Sequence, residues 1–133
     1  MRYLLDTNIC IYLIKRSPPT VMRRFKAVRV GEVALSAITL CELQFGVSNS
    51  ARPDANQAAL IQFLAPFEVR DFPSAAGMVY GEIRTQLLRK GVPIGSLDLL
   101  IGAHALHEGV TLVTNNTREF KRIPNLKVEN WAR

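Results

Sequence analysis

The chain has little of what a secreted, membrane-spanning or thiolate-based protein needs. Among its 133 residues are two cysteines, Cys10 and Cys41, too few and too far apart for a disulfide framework or a cysteine metal site. Both sit in apolar helical sequence and are expected to stay reduced, as small core residues of a cytoplasmic protein. No apolar run approaches the ~20 residues of a membrane span. The opening MRYLLDTNICIYLIK is interrupted by Asp6 and Asn8 and runs into Lys15 and Arg16, which does not fit a signal peptide. Histidine is equally scarce. His104 and His107 lie three apart with no third ligand nearby, so zinc is disfavoured. The only glycine-flanked loop, GVPIG at 91–95, lacks the Lys and Ser or Thr of a phosphate-binding loop.

Acidic residues are also in short supply, with 11 Asp and Glu against 17 Lys and Arg and a net charge of +6. Three of the 11 carry the functional argument below. With those set aside, eight acidic groups face 17 basic ones on the rest of the chain. The basic residues are spread along the sequence, so a folded basic surface is expected and a polyanion is its natural partner.

Short apolar runs alternate with helical patterns. Strands are expected at Tyr3 to Asp6, Val33 to Ser36, Phe67 to Phe72, Val110 to Thr114 and Lys127 to Glu129. Between them the spacing predicts helices at Ile9 to Ile14, Val21 to Val28, Ala37 to Gly46, Ala55 to Leu64 and Leu97 to Glu108. A long amphipathic helix is opened by Pro73 and runs to Arg89, with Met78, Ile83 and Leu87 on its apolar side. Ser96 is expected to cap the helix that follows it and Gly109 to end it. One helical turn is expected around Arg118 to Lys121. Strands alternating with helices predict a three-layer α/β/α domain over residues 1–133 with a central, mainly parallel sheet of four or five strands. In such sheets ligands bind where strand order reverses, at the carboxyl ends of the strands. Asp6 and the turn from Thr114 to Asn116 lie at such ends.

Asp6, Glu42 and Asp98 are each flanked by Leu, Ile, Cys or Ala. Burying three unpaired carboxylates costs several kcal/mol per ion unless they are paired or bind metal. Asp6 alone could be a helix N-cap, and Asp98 in a first helical turn is tolerated by the helix dipole. Glu42 has no basic helical neighbour to compensate it. Together the three indicate a metal or acid–base site. Hard oxygen ligands without nearby His or Cys select Mg²⁺, with Mn²⁺ able to substitute. On a basic protein that site points to phosphodiester hydrolysis with water as the nucleophile.

LLDTN at 4–8, the helix containing Cys41-Glu42-Leu43, PIGSLDLLIGAHA at 93–105 and TNNTREF at 114–120, in this order and spacing, resemble the PIN-domain ribonucleases, and among them the VapC-type toxins of bacterial toxin–antitoxin pairs. The resemblance implies a three-layer PIN-like fold, Mg²⁺-dependent endoribonuclease activity, homodimerisation, and inhibition by a cognate antitoxin in a higher assembly. The PIG…D and TNNTREF segments are similar to those of the subgroup that cuts initiator tRNA in its anticodon region. It further implies that Asp6, Glu42 and Asp98 occupy the family's acidic positions, with Asp6 and Asp98 the direct ligands. Thr7, Asn8, Ser96, Thr114 and Asn116 would be their polar supports. Where many relatives carry a fourth Asp this chain has Asn116, with Glu119 three residues on to supply the missing charge. Arg84 is a candidate phosphate contact, although a solvated helix Arg is the simpler reading.

Two other functions compete. An aspartyl-phosphate phosphatase would use Asp6 as nucleophile, but Asn8 stands where such enzymes place a second Asp. A nucleic-acid-binding regulator with a vestigial acidic pocket would need the charge but not the metal.

Overall fold

A computed structural model describes residues 1–133. The strands are β1 (Tyr3–Leu5), β2 (Val33–Ser36), β3 (Glu68–Arg70), β4 (Thr111–Val113) and β5 (Val128–Glu129). The helices are α1 (Thr7–Lys15), α2 (Pro19–Lys26), α3 (Ala37–Ser48), α4 (Pro53–Leu64), α5 (Ala76–Arg89), α6 (Ser96–Glu108) and α7 (Thr117–Phe120). The strands form one sheet in the order β3-β2-β1-β4-β5, and every pairing is parallel.

The apolar strand sequences follow from burial on both faces. Tyr3, Leu5, Val33, Leu35 and Val113 point to one core with Ile9, Leu13, Leu43, Leu60 and Trp131. Leu4, Ala34 and Leu112 point to the other with Ile83, Leu87, Leu99, Ile101 and Phe120. The period-2 alternation of side chains sends neighbouring residues to opposite layers. Helices therefore cover both faces of a central sheet, the α/β/α arrangement expected from the sequence.

Several local expectations need correction. Ser96 does not cap α6: Gly95 occupies the N-cap and makes no side-chain bond, while Ser96 is the first helical residue. Helix α5 starts at Ala76, after a turn in which the Ala76 N–H donates to the Pro73 carbonyl. Ile83 and Leu87 are buried on it as expected, but Met78 is 76% exposed. Helix α3 continues through Gly46 to Ser48. Cys10 is buried, whereas Cys41 is exposed. His104, expected to be partly solvated, is fully buried. Gly109 ends α6 as anticipated, in the left-handed conformation at φ 69°, which favours glycine.

The chain runs outward from β1 to β2 and β3, then returns to lay β4 and β5 on the other side of β1. Strand order thus reverses between β1 and β4, and the crevice at their carboxyl ends is the place where such sheets bind ligands. Asp6 follows β1 directly and Thr114 follows β4 directly.

Candidate active site

The site is assembled on that crevice. The Asp6 backbone N–H donates to the Val113 carbonyl at 2.8 Å, extending the β1–β4 pairing to the residue that turns into α1. Its side chain then caps α1, Oδ1 accepting from the Thr7 N–H at 2.8 Å. The other oxygen, Oδ2, accepts from the Thr114 hydroxyl at 2.7 Å. Asp6 is thus an N-cap that also belongs to the carboxylate cluster.

Thr7 does a second job. Its hydroxyl donates to Glu42 Oε1 at 2.6 Å, tying α1 to the middle of α3. Asp98 sits in the first turn of α6, where the helix dipole favours a negative charge. One oxygen from each of Asp6, Glu42 and Asp98 lies within 4.8 Å of the others. The Thr114 hydroxyl also accepts the Asn116 N–H at 3.0 Å, and the Asn116 side-chain amide donates to Glu119 Oε2 at 3.1 Å.

Charge is concentrated here and left uncompensated. Not one of these four carboxylates enters an ion pair, although 17 basic residues are available. Burial, and after it repulsion from Asp6, Glu42 and Glu119, pushes the Asp98 carboxyl up to about 6. Glu119 is not among the carboxylates whose oxygens converge within 4.8 Å. Burial also raises Asp6, partly offset by the bonds from Thr114 and Thr7, with Glu42 adding to the rise. Two carboxyls held above their ordinary range mark a pocket short of positive charge.

The donor set fits a hard divalent cation. Its atoms are carboxylate oxygens, converging and unpaired, which match Mg²⁺ or Mn²⁺. Cys10, buried behind Asp6, has its thiol raised well above the usual range by burial and then by Asp6, so it stays protonated and is no ligand. The histidines take no part: His107 is exposed, and His104 bonds Ser36.

Of the supporting residues read from sequence, Thr7 and Thr114 contact the cluster directly. Asn8 stands one bond further out, its amide donating to Asn115 Oδ1 at 3.3 Å. Ser96 is exposed and makes no hydrogen bond to the cluster. Arg84 is also exposed, and its guanidinium donates to the Tyr80 hydroxyl at 2.8 Å. It shares a small cleft of about 60 Å³ with Ser96, and none of the clustered carboxylates lines that cleft. Sequence reasoning missed Asn115 and Tyr12. The Asn115 amide donates to the Tyr12 hydroxyl at 2.7 Å and joins the turn after β4 to α1. The doubled Asn in TNNT was the available signal.

The fold is that of a PIN domain, and the chain belongs to the PIN-domain family, whose sequence model matches residues 3–126. Within it the chain is of the VapC type. It is 48% identical over 132 residues to Ribonuclease VapC2 of Rickettsia felis, covering 98% of each chain. It is 41% identical over 132 residues to the tRNA(fMet)-specific endonuclease VapC of Shigella flexneri, covering 99% of each. The crystal structure of VapBC2 from Rickettsia felis, bound to a DNA fragment from its promoter, contains a chain that superposes with a TM-score of 0.90 at 46% identity, covering 98% of this chain and 99% of that one.

Proposed function

We propose that this chain is a Mg²⁺-dependent endoribonuclease toxin that hydrolyses tRNA, in the anticodon region of initiator tRNA, and is neutralised by a cognate antitoxin. The observation that carries the reading is the convergence of Asp6, Glu42 and Asp98 within 4.8 Å at the β1–β4 switch point. Relatives of the chain named as ribonucleases and as a tRNA(fMet)-specific endonuclease support it.

Asp6, Asp98 and Glu42 would hold the cation, and Glu119 would add charge at the fourth position. When bound, such a cation polarises the phosphate under attack and makes a water a better nucleophile at neutral pH. The protein's own part is positional. Thr114 and the Thr7 N–H fix both oxygens of Asp6, and the Thr7 hydroxyl fixes Glu42. A carboxylate oxygen of this cluster that is not engaged with the cation would accept the proton released by the attacking water. Arg84, exposed on α5, would contact a phosphate of the RNA. The phosphatase alternative loses ground because the Asn8 amide is committed to Asn115 and is no acid.

The antitoxin would cover the same site. A largely apolar groove of about 280 Å³ lies between α1, α3 and α4, lined by Ile11, Ile14, Leu43 and Val47 together with Lys15 and Glu42. A tail with apolar residues along this groove and an Arg or Lys reaching the carboxylates would block the cation's place. Co-expressing the chain with that antitoxin and changing the tail's Arg and Lys to Ala should abolish inhibition; unchanged binding and inhibition would remove the acidic pocket from the inhibitory contact.

The nuclease reading is tested by incubating the purified chain with total tRNA and mapping the ends. The expected products carry 5′-phosphate and 3′-hydroxyl ends and disappear in EDTA, because water attacks and not the ribose 2′-hydroxyl. Ends with a 2′,3′-cyclic phosphate, or full activity in EDTA, contradict it.

A further inference from the structure

Of the three clustered carboxylates, Asp98 accepts no hydrogen bond. Asp6 is held by Thr7 and Thr114, and Glu42 by Thr7. The like-charged neighbours of Asp98 lie on α3 and at the start of α1, so the placement of Asp98 depends on what fixes α6. On one side, α6 is in close contact with the segment after β4. A Cβ at Gly102 would collide with Ile123 Cδ1 and touch the Phe120 ring at 3.6 Å. On the other side a buried polar contact links α6 to the junction of β2 and α3. His104 Nδ1 lies 2.8 Å from the Ser36 hydroxyl, and both residues are fully buried. It is the side-chain hydrogen bond that joins the helix of Asp98 to the start of the helix of Glu42.

The proton arrangement follows from the partners. The Ser36 hydroxyl accepts the Ile38 N–H at 3.1 Å, leaving its own hydrogen free to donate to His104 Nδ1. The ring proton then sits on Nε2, which has no hydrogen-bond partner. It faces Glu108 Oε1 at 3.6 Å, a carboxylate already bonded by Arg70 at 3.2 Å. The ring also packs edge-on against Phe72, their centroids 5.4 Å apart. A leucine would fill the same volume but leave the buried Ser36 hydroxyl hydrogen without its acceptor.

We infer that His104 is a positioning residue for the candidate metal site, its bond to Ser36 setting the spacing between Asp98 and Glu42. Ser36 is the N-cap of α3, and Glu42 lies six residues further on. Asp98 lies six residues before His104. Each carboxylate is therefore about 9 Å along its helix from the contact, at 1.5 Å per residue. A relaxation of α6 at His104 carries over to Asp98 through a rigid helix. This inference rests on the nuclease reading above.

The test compares His104→Leu, His104→Asn and His104→Gln with wild type, reading Mn²⁺ affinity by EPR titration, tRNA cleavage as kcat and KM, and thermal stability in EDTA. Asn can place an amide where Nδ1 sits, and Gln reaches instead toward Nε2. His104→Leu should lower the melting temperature in EDTA by a few degrees while remaining folded, weaken Mn²⁺ binding at least tenfold, and lower kcat at least tenfold with KM for tRNA within twofold. His104→Asn should recover most of both losses and His104→Gln should not. Wild-type Mn²⁺ affinity in folded His104→Leu overturns the inference. If that variant does not fold, equal Mn²⁺ affinities for the Asn and Gln variants overturn it in the same way. A wild-type protein that binds Mn²⁺ but cuts no RNA defeats the nuclease reading instead, and the Mn²⁺ affinities of the variants still judge His104.

Discussion

Replacing Asp98 by Asn should stabilise the metal-free protein at neutral and alkaline pH, and should do so only there. Its carboxyl, ordinarily near 3.8, is pushed to about 6 by burial and by Asp6, Glu42 and Glu119. Between those values the folded chain holds a proton that the unfolded chain has lost, so stability falls as pH rises through the window. Above about pH 6 the full penalty is present, and below about pH 4 both states are protonated and it vanishes. At 1.36 kcal/mol per pH unit, moving this carboxyl from 3.8 to about 6 corresponds to ~3 kcal/mol. Solvent screening at a partly exposed site reduces that to on the order of 1–2 kcal/mol. For a chain of this length each kcal/mol is roughly 3–5 °C in Tm. Thermal melts of wild type and Asp98→Asn in EDTA from pH 4 to pH 8.5 should therefore coincide at the acid end. Toward pH 8 they should separate by roughly 3–10 °C in favour of the variant. Adding Mg²⁺ should raise the wild type and leave the variant unmoved. A difference that is independent of pH, or a variant less stable throughout, would show that Asp98 is not part of a repelling cluster.

Other changes probe the remaining parts of the site. Thr7→Val should remove the bond to Glu42 at a cost of about 1.5–3 kcal/mol for a charged acceptor, lowering the cleavage rate tenfold or more while circular dichroism stays native; an unchanged rate would remove Glu42's orientation from the account. Glu119→Gln should weaken apparent Mg²⁺ affinity more than Asn116→Ala does, and superposable Mg²⁺ titrations for Glu119→Gln and wild type would take Glu119 out of the site. Arg84→Ala should raise KM for tRNA severalfold with kcat unchanged, as expected of a phosphate contact outside the reacting centre; an unaltered KM would mean that Arg84 only packs on Tyr80. Asp6→Asn should abolish cleavage in a folded protein, and a folded fraction of full specific activity would reduce Asp6 to a cap.

The fold was legible because parallel strands buried on both faces read as continuous apolar runs, as in YLL, VALS and TLV. The edge strand β3 was harder to bound, since Glu68 and Arg70 pair with each other there and only Val69 is apolar. The three carboxylates stood out for a related reason: an ion among Leu and Ile has no cheap structural explanation. Facing was less readable. Helices α3 and α6 are apolar on most sides, so nothing in the sequence tells that Cys41 is exposed while His104 is buried. Met78 was misplaced because it lies nine residues before Leu87 on the same helix, a spacing that at 3.6 residues per turn puts the two on opposite faces. The bond from Ser36 to His104 joins residues 68 apart, and no local pattern announces it. Ser36, Asp6 and Thr114 share the position directly after or at the end of a strand, which is the one regularity that would have singled Ser36 out.

The central claim is that Asp6, Glu42 and Asp98 together hold the divalent cation on which activity depends. Its most direct test is an anomalous difference map from crystals of the protein soaked in Mn²⁺. A single strong peak is expected between these three side chains, about 2.0–2.3 Å from oxygens of Asp6 and Asp98, and it should be absent from crystals of Asp98→Asn. A peak elsewhere, or no peak in crystals of a protein that cleaves RNA in the same Mn²⁺ solution, would contradict the account.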